Sequence, residues 1–178
     1  QQRDIKEINS GLYVIPAHYL HKWLPNLSTN NQQQEYYLTD ILEIAVSQGI
    51  SIHTSPPSHV EEIMGVNDRV QLAYLERFFQ QTAAEKLMHQ GVTLMDPSRL
   101  DIRGTVDIQG KDITIDVNVV LEGHVQLGEG CRIGAHTVIR DSVVGAHVEI
   151  KENCVIEGSR IHDRAIVGPF ARLRPDTV

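Results

Sequence analysis

Residues 115–173 read IDVNVVLEGHVQLGEGCRIGAHTVIRDSVVGAHVEIKENCVIEGSRIHDRAIVGPFARL and carry an aliphatic side chain at every fifth or sixth position. A period of six matches neither the 3.6 of an α-helix nor the two of a simple strand. It predicts short parallel strands joined by turns, three to a coil, stacked as a β-solenoid. The aliphatic positions are Ile115, Leu121, Leu127, Ile133, Ile139, Val144, Ile150, Ile156, Ile161, Val167 and Leu173.

A second set of positions, four residues after each aliphatic one, is small or β-branched in ten of eleven cases. Such side chains suit the narrow inner corners of a triangular prism. Cys131 and Cys154 fall in this set, which predicts small core residues rather than nucleophiles or metal ligands. The set comprises Val119, Val125, Cys131, Thr137, Val143, Val148, Cys154, Arg160, Ala165, Ala171 and Thr177.

Two segments with different sequence patterns precede the repeats. Residues 1–66 alternate predicted helices (18–24 and 36–48) with predicted strands (12–15 and 50–54), which is typical of part of an α/β domain and too short for a whole one. Residues 67–90 form one predicted helix, and residues 91–178 are assigned to the solenoid.

The helix over 67–90 has a start, a stop and an apolar stripe. Asn67 or Asp68 can cap its first turn, and Gly91 follows its end. It is either a rigid connector or an ordinary core helix. The predicted stripe consists of Leu72, Leu75, Phe79, Ala83 and Leu87.

Composition excludes several classes of protein. The 178 residues carry a formal charge of −7, which disfavours sequence-independent binding to nucleic acid. No apolar run is long enough to span a bilayer, and no signal segment opens the chain. Two cysteines are too few for a disulfide framework, so the cytoplasm is the predicted location. Because the chain begins with Gln1 rather than Met and Val178 falls within a repeat, we expect an interior, truncated piece of a longer protein.

The repeat spacing resembles that of the hexapeptide acyltransferases, whose β-helix is left-handed. Longer stretches resemble the bacterial bifunctional N-acetylglucosamine-1-phosphate uridyltransferase/glucosamine-1-phosphate acetyltransferase family: GVNDRVQLAYLERFFQ (65–80), DPSRLDIRGT (96–105) and GPFARLRP (168–175). EINSG (7–11) and EYYLTDI (35–41) are similar to the end of its uridyltransferase domain. The resemblance implies the end of a Rossmann-like nucleotidyltransferase domain, a connecting helix and the start of a left-handed parallel β-helix.

The resemblance also implies chemistry. The whole protein would acetylate glucosamine-1-phosphate from acetyl-CoA. With UTP and Mg²⁺ it would then form UDP-N-acetylglucosamine and pyrophosphate, for cell-wall and lipopolysaccharide synthesis. The family's members are cytoplasmic homotrimers, with the acetyltransferase site between neighbouring β-helices.

Three residues match binding positions of the family. Asn67 matches an Asn that binds Mg²⁺ and approaches the nucleotide sugar, and an amide oxygen suits that hard cation. Asn9 matches an Asn that hydrogen-bonds the sugar nucleotide, although Asn-Ser-Gly by itself indicates a turn. Arg174 matches the Arg that grips the sugar phosphate, which a guanidinium binds through two hydrogen bonds. Arg172 is the neighbouring candidate.

Other parts of both sites are absent from the sequence. It has no Gly-rich phosphate loop, no Asp partner for the metal and no Lys for the triphosphate. The resemblance places the general-base His and the acetyl-CoA contacts beyond Val178. We therefore expect this chain alone to have neither activity.

Three alternatives stay open. Some hexapeptide proteins bind zinc through His on adjacent coils, but histidines on stacked turns would have to be separated by a whole coil of three repeats. The histidines at 124, 136, 147 and 162 are 12, 11 and 15 apart, less than a coil, which predicts surface positions. A second alternative is another sugar-nucleotide pyrophosphorylase with a non-catalytic β-helix, and a third is a trimerisation scaffold.

Overall fold

The computed structural model describes residues 9–175, which divide into two compact units. One extends to Gly65, and the other begins at Val66. The two are described separately below. None of the helices in residues 9–175 is both long and apolar enough to cross a membrane.

The first unit is built on two short helices, α1 (Ala17–Trp23) and α2 (Asp40–Ser47), with 3-10 turns at Leu24–Asn26 and Val60–Ile63. Its small core holds Trp23 and two residues of α2, and the Trp23 indole N–H donates to Gln48 Oε1 at 3.1 Å. Both predicted helices are confirmed, although α2 begins later than predicted.

The two strands predicted in this unit are wrong. Residues 12–15 and 50–54 have extended or irregular backbone, and residues 9–65 contain no strand. An extended segment becomes a strand only when a neighbour satisfies its N–H and C=O groups. No described residue of the unit provides that neighbour.

The second unit opens with α3 (Arg69–His89), whose start is capped by Asp68: its Oδ1 accepts the Gln71 N–H at 2.8 Å. The predicted apolar stripe is wrong in the first half of the helix, where Leu72 and Phe79 are 56% and 59% exposed. The second half packs on the hydrophobic core of the solenoid, through Leu87 and the partly buried Ala83. This half is thus part of the core.

Gln80 is a buried polar residue on the packed side of α3, and it joins the helix to the first coil. Its Nε2 donates to the Ile102 carbonyl at 2.8 Å, and its Oε1 accepts the Ile102 N–H at 2.7 Å. The side-chain amide thereby gives the N–H and C=O of Ile102 the hydrogen-bond partners that a neighbouring strand would provide.

Replacing Gln80 by Leu is expected to lower the free energy of unfolding by about 1–3 kcal/mol, because it leaves both backbone groups of Ile102 buried without partners. Urea denaturation of the chain measures the loss. Gln81→Leu is the matched control: Gln81 is exposed on the same helix, and its change should stay within about 0.5 kcal/mol. Equal losses in both variants would contradict the bridging role of Gln80.

The described part of the second unit then contains twelve strands, and all their pairings are parallel. They are β1 (Val92–Leu94), β2 (Leu100–Gln109), β3 (Ile113–Ile115), β4 (Val119–Gly128), β5 (Arg132–Ile133), β6 (Val138–Arg140), β7 (Val143–Val144), β8 (Glu149–Ile150), β9 (Val155–Glu157), β10 (Arg160–Ile161), β11 (Ile166–Val167) and β12 (Arg172–Leu173).

The strands form three faces, as the hexapeptide period predicts. The first face is β1-β3-β5-β8-β11, and the second runs from β2 and the first half of β4 through β6, β9 and β12. The third joins the second halves of β2 and β4 to β7 and β10. Ile115 pairs with Ile133 and Ile133 with Ile150, so aliphatic residues three repeats apart lie on adjacent coils. The parallel β-solenoid is confirmed.

The core consists of the stacked aliphatic residues. Nine of the eleven predicted positions are buried, and Val167 and Leu173, in the last coils, are partly buried. Cys131 and Cys154 are both fully buried, as predicted. Burial raises the pKa of the Cys131 thiol to about 12, so it stays protonated and unreactive at neutral pH.

The predicted corner set is wrong at two positions. The buried residues there are Ser142 and Ser159, not Val143 and Arg160, which are half-buried and exposed. The inner corner residue lies two positions before the following aliphatic residue. Counting four positions forward from the preceding aliphatic residue gives the wrong residue where a corner is one residue shorter. Thr177, the last member of the predicted set, lies outside the described residues.

Candidate functional site

A line of alternating charge runs along the second face of the solenoid. Parallel register aligns Arg103 with Glu122, Glu122 with Arg140, and Arg140 with Glu157. Arg174 comes next, because it follows Leu173, which pairs with Ile156. We call the line formed by Arg103, Glu122, Arg140, Glu157 and Arg174 the charge ladder.

The best-formed contact in the charge ladder is the ion pair between Arg140 Nε and Glu122 Oε2, at 2.9 Å. The hydrogen bond to Glu122 raises the pKa of Arg140, and the charge of Glu157 adds to the effect. Glu157 therefore acts on Arg140 from the coil on the other side. Each internal member of the ladder has an opposite charge on both neighbouring coils.

The ladder is tied to α3 at its first coil. Asp101 accepts from Arg77 of the helix at 2.9 Å and from Arg103 at 3.2 Å. Partial burial works to raise the pKa of Asp101, but these two hydrogen bonds outweigh it and lower the pKa below its ordinary value. The carboxylate is thus held ionised between two guanidinium groups.

Arg174 is exposed in the last described coil, and its backbone is anchored. The hydroxyl of Ser159 lies 2.8 Å from the Arg174 carbonyl and 2.8 Å from the Glu157 carbonyl, and its single proton can be donated to either. Arg172, the neighbouring candidate, is also exposed and aligns with Val155 rather than with the charge ladder. The two arginines flank Leu173, which turns inward.

Asn67 is exposed and precedes α3 by two residues. Its N–H donates to Gln71 Oε1 at 2.8 Å, and Asp68 supplies the helix cap. Mg²⁺ takes six oxygen ligands, and Asn67 offers one side-chain oxygen. Within residues 9–175 no group of three or more His, Cys, Asp or Glu side chains is placed to hold a metal ion. The described residues alone do not make a magnesium site.

Asn9 belongs to the first unit, where its side chain closes a turn. Its Oδ1 accepts the Gly11 N–H at 3.0 Å, and its Nδ2 donates to the Tyr13 hydroxyl at 2.6 Å. The amide is exposed. The turn that Asn-Ser-Gly indicates is therefore present.

The three predicted binding residues are distributed over both units. Asn9 lies in the first unit, whereas Asn67 and Arg174 lie in the second. Within that unit Asn67 precedes the helix that packs on the first coil, and Arg174 stands in the last described coil, so the two are not brought together. Sequence reasoning missed the charge ladder, although its signal was available: charges of alternating sign recur once in every coil.

The four solenoid histidines are exposed, as predicted. His124 contacts Thr105 through Nδ1 at 2.9 Å and lies 3.5 Å from a carboxylate oxygen of Asp107. His136 lies within 3.3 Å of the Asn118 amide on the preceding coil. These contacts join adjacent coils at their corners.

Comparison with known proteins supports the same family. A family model described as "Bacterial transferase hexapeptide (six repeats)" matches residues 110–141. "Bifunctional protein GlmU" of Nitrosospira multiformis is 48% identical over 176 residues, 99% of this chain and 38% of that protein. The protein of the same name from Acinetobacter baylyi is 49% identical over 98% of the chain, and that from Methylococcus capsulatus is 47% identical over all of it. The chain is homologous to a segment of GlmU.

The chain spans only part of these GlmU relatives, 38% of the length of the first two and 39% of the third. The match covers both units and α3, so it is not confined to the hexapeptide repeats. The resemblance drawn from the sequence motifs is thereby confirmed.

Proposed function

We propose that the chain is part of a GlmU-type bifunctional enzyme, with its solenoid contributing to acetyl transfer from acetyl-CoA to glucosamine-1-phosphate. The observation that carries the proposal is the match of nearly the whole chain, at 47–49% identity, to proteins named bifunctional GlmU. The second proposed reaction joins N-acetylglucosamine-1-phosphate to UTP, with release of pyrophosphate.

The finer features of the resemblance belong to this proposal. Residues 1–66 would be the end of the Rossmann-like uridyltransferase domain, 67–90 its linker and 91–178 the start of a left-handed β-helix. Asn9 and Asn67 would contact the sugar nucleotide, and Asn67 would be one ligand of Mg²⁺. A cytoplasmic homotrimer is the proposed assembly, making a precursor for peptidoglycan and lipopolysaccharide.

Arg174 is the residue through which the solenoid would hold its substrate. A guanidinium binds a phosphate through two parallel, charge-assisted hydrogen bonds. Arg174 is exposed, so a phosphate can reach it, and its backbone is anchored by Ser159. The residue binds and orients the sugar phosphate, and the proton transfer requires a base that the resemblance places outside this chain.

The test uses a chimeric enzyme, in which this chain replaces the matching segment of the Acinetobacter baylyi GlmU. We expect acetyl-CoA consumption with glucosamine-1-phosphate, and Arg174→Ala should lower kcat/KM for the sugar phosphate by about 100-fold, the loss of a charged hydrogen-bonded contact. Arg160→Ala, an exposed arginine on the third face, is the control and should change it less than about twofold.

Two outcomes would contradict the proposal. A folded chimera that consumes no acetyl-CoA would refute acetyl transfer, and equal activity of the two arginine variants would refute the role of Arg174. The purified 178-residue chain is expected to show no turnover by itself. Turnover by that chain would refute the assignment of the catalytic base to a region outside it.

The charge ladder favours one alternative, a structural scaffold. In that case Arg174 serves only to extend the alternating charges, and the solenoid need not bind any substrate. A scaffold predicts that Arg174→Ala changes the unfolding free energy and leaves sugar-nucleotide synthesis and acetylation unaffected. The same chimera distinguishes the two functions.

A further inference from the structure

The side-chain amide of Asn9 is held at both of its ends. Its Oδ1 accepts the Gly11 N–H at 3.0 Å, which closes the turn, and its Nδ2 donates to the Tyr13 hydroxyl at 2.6 Å. The terminal torsion of an asparagine side chain is broad, so the first contact alone leaves the amide plane free to rotate. The second contact, at the other end of the amide, fixes that plane.

The turn itself does not depend on Tyr13. It closes through Asn9 Oδ1 and the Gly11 N–H, and Ser10 Oγ accepts the Leu12 N–H at 3.4 Å. The hydroxyl of Tyr13 takes part in neither hydrogen bond. Its contact therefore acts on the orientation of the Asn9 amide rather than on the path of the backbone.

The spacing of exposed residues explains how Tyr13 comes to lie beside Asn9. Leu12 and Val14 are exposed, whereas Tyr13 between them is partly buried. Successive side chains of an extended chain point to opposite sides. Tyr13 thus lies on the side away from its two exposed neighbours, where its hydroxyl reaches the Asn9 amide.

Asn9 keeps hydrogen-bonding capacity for a ligand. An asparagine amide has two N–H groups and two acceptor lone pairs. The contacts with Gly11 and Tyr13 use one lone pair and one N–H, so one of each is left. Asn9 is exposed, and a ligand can therefore reach the amide. A donor and an acceptor on one amide match the acetamido group and the hydroxyls of an N-acetylated sugar.

We propose that Tyr13 is a positioning residue for Asn9, fixing the plane of its amide so that the remaining N–H and lone pair face the N-acetylated sugar of the uridylyl-transfer reaction. This inference rests on the proposed function, in which Asn9 contacts the sugar nucleotide. Tyr13 acts through Asn9 and does not need to touch the substrate.

The test measures formation of UDP-N-acetylglucosamine by the chimeric enzyme. Tyr13→Phe is expected to raise KM for N-acetylglucosamine-1-phosphate about fivefold, the loss of one neutral hydrogen bond, with kcat and the KM for UTP unchanged. Tyr19→Phe is the control. It removes a hydroxyl from the same unit, but the contact of Tyr19 is made by its ring, which stacks on Trp23 at 4.7 Å, so all three constants should stay unchanged. Both variants keep the aromatic ring, and the melting temperature should stay the same.

A double-mutant cycle tests whether Tyr13 acts through Asn9. Asn9→Ala is expected to raise the same KM about tenfold, because it removes the amide altogether. Adding Tyr13→Phe to Asn9→Ala should then have no further effect, since the group that Tyr13 orients is gone. A fivefold increase in both backgrounds would show that Tyr13 acts independently of Asn9, and would refute the positioning role.

The outcomes separate this inference from the proposed function. If Asn9→Ala raises KM while Tyr13→Phe does not, the positioning role is refuted and the binding role of Asn9 stands. If Asn9→Ala has no effect, the binding role of Asn9 and the positioning role are both refuted, whereas acetyl transfer is tested separately through Arg174. A folded chimera that forms no UDP-N-acetylglucosamine would refute the proposed uridylyl transfer, and this inference with it.

Discussion

Ile139→Ala should lower the free energy of unfolding by about 2–5 kcal/mol. Ile139 is fully buried at the centre of the second face, where it stacks between Leu121 and Ile156 on the neighbouring coils. Hydrogen-bonded strands on both sides prevent the coils from closing around the missing atoms, so a cavity should remain. Each coil of a solenoid is supported only by its neighbours, and the loss therefore affects the coils on both sides. Urea denaturation followed by circular dichroism measures it.

Val138→Ala is the matched control for this variant. Val138 precedes Ile139 in β6, and successive side chains of a strand face opposite sides. It is half-buried on the outer surface, so we expect a loss below about 1 kcal/mol. Equal losses at the two positions would show that the interior of the solenoid is not where the structure places it.

Gly128→Ala is expected to destabilise the solenoid by about 3 kcal/mol or more. A Cβ at this position would lie 2.4 Å from the Gly145 carbonyl carbon and 2.6 Å from the Ala146 nitrogen on the next coil. Both atoms belong to the backbone, so no side-chain rotation relieves the clash. The next coil is itself held by the hydrogen bond from Gly145 N–H to the Ile161 carbonyl, at 2.9 Å. Thermal unfolding of the chain measures the effect.

Gly168→Ala is the corresponding control. Nothing lies within 4 Å of a Cβ built on Gly168, and its backbone does not adopt a positive φ. We expect a change of about 0.5 kcal/mol or less, because neither a clash nor strain is introduced. A loss at Gly168 as large as that at Gly128 would mean that the close approach of coils is not the reason for glycine at residue 128.

The periodic part of the fold was predictable because each repeat carries an aliphatic residue at the same position. Ile115, Ile133 and Ile150 recur at the separation of one coil, so one face of the solenoid can be read from spacing alone. The prediction failed where the spacing changed. At Ser142 and Ser159 a corner loses one residue, and only the register of the strands shows which side chain then points inward.

The non-periodic part was less predictable, because its structure depends on partners distant in sequence. The apolar residues at 12–15 have strand character, yet no described neighbour completes a ladder with them. In α3 the sequence indicates an apolar stripe that includes Phe79. The buried residue, however, is its polar neighbour Gln80. Gln80 is buried because its side chain binds the backbone N–H and C=O of Ile102 at the edge of the first coil. Helical periodicity cannot predict this contact.

The candidate site shows the same division. Arg174 was found from the motif GPFARLRP, and that motif names the residue without showing what holds it. Stacking the coils adds Ser159 of the preceding coil, whose hydroxyl lies 2.8 Å from the Arg174 carbonyl. Phe170 adopts the left-handed region, with a φ of 60°, which is uncommon for a bulky residue.

Local pattern and period were enough to establish the repeating architecture, the two helices of the first unit, the long helix and the family resemblance, since each depends on residues close together in the chain or on a fixed spacing. Only the packed coils reveal which half of α3 is buried, which serines form the inner corner and how opposite charges align into a ladder. These features depend on register between coils, and register is set by backbone hydrogen bonds between segments that lie a whole coil apart in the chain.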